Sequence, residues 1–147
     1  MAGAAQSNVP FRQGAPFTVG MSIANNGRFT VRVLAVTGNP SFGFLPLSNR
    51  RLLVSGPTPK NAGHWVRPSR TFRPFNLPPG NVMFVQLNGT YKARCHPAKN
   101  SGGYSQVFGG FEVRYSFLWR TANARVDLPD TLSIDFPAKE DCSWGSL

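Results

Sequence analysis

Residues 17–36 read Phe17-Thr18-Val19-Gly20-Met21-Ser22-Ile23-Ala24-Asn25-Asn26-Gly27-Arg28-Phe29-Thr30-Val31-Arg32-Val33-Leu34-Ala35-Val36. Phe17, Val19, Met21 and Ile23 alternate with Thr18, Gly20, Ser22 and Ala24, the period of two that marks a strand with one buried face. Asn25-Asn26-Gly27 supplies residues tolerant of positive φ, as a tight turn requires. Phe29, Val31 and Val33 resume the alternation. The stretch predicts a β-hairpin.

The same period recurs further along. Phe111, Val113, Tyr115, Phe117 and Trp119 alternate with Glu112, Arg114, Ser116 and Arg120, and Thr121–Asn123 reads as a turn into Ala124–Leu128. Leu132, Ile134 and Phe136 form a last alternating set. Met83, Val85 and Leu87 define a strand that follows a Pro78-Pro79-Gly80 turn. Phe72–Leu77 reads as an edge strand, because Pro74 has no N–H to give to a central ladder. Arg51–Val54 is a short strand between loops at 37–50 and 55–70, and 93–110 reads as a long loop. Residues 1–15 are small, polar and aperiodic, a flexible lead-in to a single domain over 16–147. With 15 Gly and 13 Pro spread through 147 residues, breakers rarely lie more than ten residues apart, which argues against a helical bundle, and no apolar run approaches the roughly 18 residues of a membrane helix. Seven or eight short strands predict an all-β, immunoglobulin-like two-sheet antiparallel sandwich, with the Phe17–Ile23 and Phe111–Trp119 faces lining its core. A jelly roll or small barrel is the alternative, since turn spacing does not determine strand order.

The alternating strand with its Asn-rich turn, and the Phe75–Gly80 turn leading into a second strand, resemble bacterial extracellular immunoglobulin-like domains of the adhesion-related CARDB type. The resemblance covers residues 16–36 and 72–91. It implies a non-enzymatic adhesion, spacer or protein-interaction unit and carries over no site residues. The chain departs from such modules in its cysteine pair and its long 93–110 segment.

Charge is the other strong signal. The net charge is +10, and all six acids lie at or after Glu112. Such a balance attracts polyanions; a solvated basic surface is the plainer explanation. Arg50, Arg51, Arg67, Arg70 and Arg73 interleave with Trp65, Phe72 and Phe75, so guanidinium groups that neutralise phosphates alternate with rings that stack on bases or sugars. Alternatively the rings pack and the arginines only solvate. Cys95 and Cys142 are an even pair in a loop-rich β chain, which favours a disulfide contributing about 4 kcal/mol on the chain-entropy model. Two free thiols are the alternative. Four ligands for a structural zinc are lacking, so no metal or other cofactor is expected.

His64 and His96 are the only histidines, and no Gly-x-Ser-x-Gly or phosphate-cradling loop occurs. The chain is therefore expected not to be an enzyme. Asn88-Gly89-Thr90 matches a glycosylation sequon. The reading that follows is a non-catalytic interaction, adhesion or spacer module of the cell envelope or extracellular space, its leader or anchor lying outside this chain. Its partner would be a protein or an anionic envelope polymer. The alternative is a basic polyanion-binding β protein, for nucleic acid or of the coat or assembly kind.

Overall fold

The computed structural model describes residues 6–39, 47–60, 64–92, 94–97, 99 and 102–143. Parts of four sequence-defined segments fall outside them: 1–5 of the lead-in, 40–46 and 61–63 of two loops, and 93, 98, 100 and 101 of the third. Eleven strands and no α-helix occur among the described residues: β1 (Gln6–Pro10), β2 (Pro16–Ala24), β3 (Val31–Asn39), β4 (Leu47–Pro59), β5 (Arg70–Thr71), β6 (Phe75–Leu77), β7 (Asn81–Tyr91), β8 (Arg94–Pro97), β9 (Tyr104–Phe117), β10 (Arg120–Phe136) and β11 (Glu140–Ser143).

They make two packed sheets and a ribbon. One sheet runs β1-β10-β9-β3-β6, the other β2-β7-β4-β5, and β8 pairs with β11. The two-sheet, all-β sandwich is therefore as expected. Its strand order is that of the alternative, the jelly roll. An immunoglobulin sandwich keeps its first two strands together in one sheet, in the order A-B-E-D. Here the chain changes sheet between β1 and β2, β2 and β3, β3 and β4, β5 and β6, and β6 and β7, the winding of two interlocked Greek keys.

Several local expectations change with it. Residues 17–36 are not a hairpin: β2 pairs along its whole length with β7, from Pro16 opposite Thr90 to Ala24 opposite Val82, while β3 pairs with β6 and β9. Phe29 is exposed, but the rest of both apolar faces still turns inward, and the two meet across the core instead of lying side by side. β7 wins the pairing because Val82, Met83, Phe84, Val85 and Leu87 are all buried, the pattern of a strand covered on both faces. Asn25 makes the corner instead, its Nδ2 donating to Phe29 O (2.8 Å) and Leu77 O (2.9 Å) while its Oδ1 accepts from Gly27 N (2.9 Å).

The lead-in contains β1, which lies parallel to β10 with Gln6 opposite Thr131 and Pro10 opposite Asp135, so the sandwich is not wholly antiparallel. The 93–110 segment holds β8 and the first half of β9. Of Phe72–Leu77 only Phe75–Leu77 is a strand, β6, at the edge of the five-stranded sheet; Phe72–Pro74 is the crossing from β5, the two-residue edge strand of the other sheet, and Pro74, without an N–H to donate, stands outside both ladders. The turn into β10 lies at Leu118-Trp119 and not at 121–123, since Arg120 already pairs with Phe117. Trp119 consequently leaves the core and is 83% exposed. The core instead gathers Phe17, Met21, Ile23, Val33, Leu77, Met83, Val85, Leu87, Phe108, Phe111, Val113 and Ile134. Phe108 and Phe111 both face inward across an odd spacing because Gly110 shifts the phase of β9. At φ 154° a Cβ on Gly110 would sit 2.2 Å from Val126 O, so only glycine fits.

Candidate polyanion-binding site

The outer face of the four-stranded sheet is assembled from the polar halves of its alternating strands. Register sets three rows across it: Thr18, Asn88 and Arg51; then Gly20, Gln86, Leu53 and Thr71; then Ser22, Phe84 and Ser55. Adjacent strands lie about 4.8 Å apart, so each row is a continuous band of side chains. Asn88 Oδ1 accepts from Thr18 Oγ1 (3.1 Å) and Gln86 Nε2 (2.8 Å). The sequon asparagine is thus engaged within a strand, not displayed on a surface loop.

Residues 64–69 lie against this face. Ser55 Oγ, itself buried, donates to Arg67 O (2.7 Å), Ser69 N–H reaches Val54 O (3.3 Å), and the Arg70 guanidinium donates to Gly56 O. Trp65 stands edge-on to the Phe84 ring, centroids 5.1 Å apart. Gly20 makes its seat: a Cβ there would lie 3.1 Å from Trp65 Cη2 and 2.9 Å from Val85 O. Trp65 is 49% exposed, so the ring is held against Phe84 and Gly20 while about half of it stays accessible. Beside it a cavity of about 330 Å³ is lined by Ser22, Thr58, Lys60, His64, Trp65 and Phe84, among others.

The structure thus places Arg51, Trp65, Arg67 and Arg70 on this sheet and along its β4–β5 edge. Arg73 is exposed at the crossing from β5 to β6. Arg50 sits nearer the start of β4, its Nε turned onto Leu47 O (3.1 Å). Phe72 and Phe75 pair with each other at 6.2 Å and pack against the core, so of the three rings only Trp65 is presented. The ion pair formed among the described residues is Arg125 with Asp127 (2.9 Å), in the other sheet. Arg51, Arg67, Arg70 and Arg73 have no carboxylate partner among the described residues. Thr18 and Gln86 carry no motif that marks them in the sequence, and the sequon at Asn88 points to a different role; the signal of all three is the polar half of the alternation that locates the core.

Cys95 and Cys142 are joined by a disulfide that crosslinks β8 to β11. Glu140 comes within 4.8 Å of both sulfurs, but disulfide sulfurs are not the thiolates a zinc site takes. His96 is exposed on β8, opposite Asp141, and His64 borders the Trp65 cavity. No helix among the described residues is long and apolar enough to cross a membrane. No protein-family model, curated protein or solved structure matches the chain.

Proposed function

We propose that the chain is a non-catalytic nucleic-acid-binding jelly-roll protein of the coat or assembly kind, using the outer face and β4–β5 edge of its four-stranded sheet. The observation that carries this reading is that Arg51, Arg67 and Arg73 are exposed without acidic partners among the described residues, with the half-exposed Trp65 ring seated on Gly20 and Arg70 at the β5 edge in the register row of Val54. Backbone phosphates meet the arginines, and an unpaired base stacks on the ring. Jelly rolls serve as viral shell and lectin domains, so the architecture supports the reading without deciding it.

Anisotropy with a labelled single-stranded oligonucleotide tests it. Affinity should fall steeply between about 50 and 200 mM salt, and an Arg51/Arg67/Arg73→Gln variant should flatten the slope by about 0.7 for each phosphate no longer neutralised. Trp65→Ala should cost about 1–3 kcal/mol of binding. Binding that is absent, or insensitive to salt, overturns the proposal.

The disulfide favours a second reading, an extracellular or envelope module that binds an anionic polymer or a protein, because such crosslinks persist in oxidising compartments. Preference for an anionic cell-wall polymer over the oligonucleotide in the same titration would select it.

A further inference from the structure

At the end of the sandwich opposite the disulfide, a second cavity of about 390 Å³ opens between the sheets. We propose that it binds a single-chain anionic amphiphile of the fatty-acid class. Its walls come from both sheets: Ile23 and Met83 from one, Val33, Val113 and Val126 from the other. Met83 and Val33 are fully buried at its floor. The size falls within the range of small-molecule sites, which are mostly apolar with a few placed polar groups.

The mouth has a different chemistry. Arg28 lines it, and Lys60 Nζ is held on the side chain of Asn26, another mouth residue, at 3.1 Å. No acid occurs before Glu112. An apolar slot with a cationic mouth calls for an apolar tail ending in a carboxylate. A neutral tail leaves the cations unused, and an ammonium head is repelled by them. Phe29 is 61% exposed beside the mouth, its ring 5.1 Å from that of Phe117, an apolar lip for the first methylenes. The site is preformed, because Asn25 pins the 25–29 corner to Leu77 O, so little ordering is left to oppose binding.

Isothermal titration of the full chain with dodecanoate, dodecanol and dodecylamine, below their aggregation limits, tests this. Dodecanoate should bind one to one, with affinity rising about fourfold per methylene from octanoate until the slot is full. Dodecanol should bind about tenfold more weakly and the amine more weakly still. Arg28→Gln with Lys60→Gln, both on exposed residues, should reduce dodecanoate to the level of dodecanol and leave dodecanol unchanged. Ala124→Phe, which puts a ring into the slot, should abolish both, with unfolding midpoints confirming that each variant is folded. The proposal fails if dodecanoate does not bind, or if it binds equally to both variants. It fails too if the wild type ignores all three probes yet self-associates through Trp119, which would make a second copy the occupant.

Discussion

At one end of the sandwich, where β7 and β10 finish, Phe11 stacks on Phe136 at 4.8 Å and meets Tyr91 edge-on at 5.4 Å, and Phe17 meets Tyr91 at 5.6 Å. Phe11 N–H reaches Asp135 O, Tyr91 N–H reaches Ala15 O, and the Cys95–Cys142 bridge ties the ribbon beyond. At the other end, where the same two strands begin, one buried asparagine holds the corner and a cavity lies between the sheets. The closed end is held by several rings and a covalent bond. Burial there pushes the Tyr91 phenol above its ordinary pKa, as a dry environment must. The open end depends on one amide and exposes Phe29, Leu118 and Trp119. Stability concentrated away from a site leaves the site free to present surface that folding alone would bury.

The largest test breaks the closed end. Replacing both cysteines by serine releases a crosslink between residues 47 apart in sequence and should lower stability by about 4 kcal/mol, read from urea unfolding with a slope that rises as the uncrosslinked unfolded chain expands. If the two ends are independent, dodecanoate affinity in folded protein should not change. A parallel loss of binding would show that the cavity is shaped from the far end.

Next comes the open end. Asn25→Ala leaves the carbonyls of Phe29 and Leu77 without their donor at a buried position, and should cost about 2–4 kcal/mol. Unlike the cysteine change, it should also weaken dodecanoate binding, because the corner carries Arg28 and Phe29. Asn25→Asp keeps the acceptor for Gly27 N but turns a carboxylate toward two carbonyls, and should be at least as harmful. Equal binding in wild type and Asn25→Ala would remove the corner from the site.

The fold class was legible because alternation reports which face of a strand is buried, and β2, β7 and β9 report it cleanly. Pairing was not, because alternation is silent about neighbours. Val19 and Val33 satisfy the same pattern whether their strands share a sheet or face each other across the core. Asn25-Asn26-Gly27 looks like a hairpin turn, yet its first side chain is spent on Leu77, 52 residues away, a long-range bond that local propensity does not anticipate. The true hairpin turn at Leu118-Trp119 carries no Gly or Asn, and Leu118 takes φ 53°, a conformation uncommon for such a side chain. The 6–10 segment lacks apolar alternation because β1 is recruited by the backbone edge of β10. In the candidate site, the arginines and Trp65 could be read from composition. The seat at Gly20 and the Thr18, Gln86 and Asn88 band needed the register.

The smallest effect is the most discriminating between the ends. Trp119 and Phe111 belong to one alternating run, and nothing in that pattern separates them. The structure buries Phe111 completely and leaves Trp119 at 83% exposure on the turn. Phe111→Ala should therefore cost about 3–5 kcal/mol, whereas Trp119→Ala, a larger deletion, should move stability by no more than about 0.5 kcal/mol. Iodide quenching gives an independent reading, since removing Trp119 should take away a readily quenched part of the tryptophan emission while that of the half-covered Trp65 remains. Both measurements belong at two protein concentrations. A cost near 2 kcal/mol that grows with concentration would mean that Trp119 is covered by another copy, and the open end would then be an interface between molecules. A small cost at both concentrations leaves Trp119 in solvent beside an open cavity, the arrangement in which the mouth stays free for a ligand.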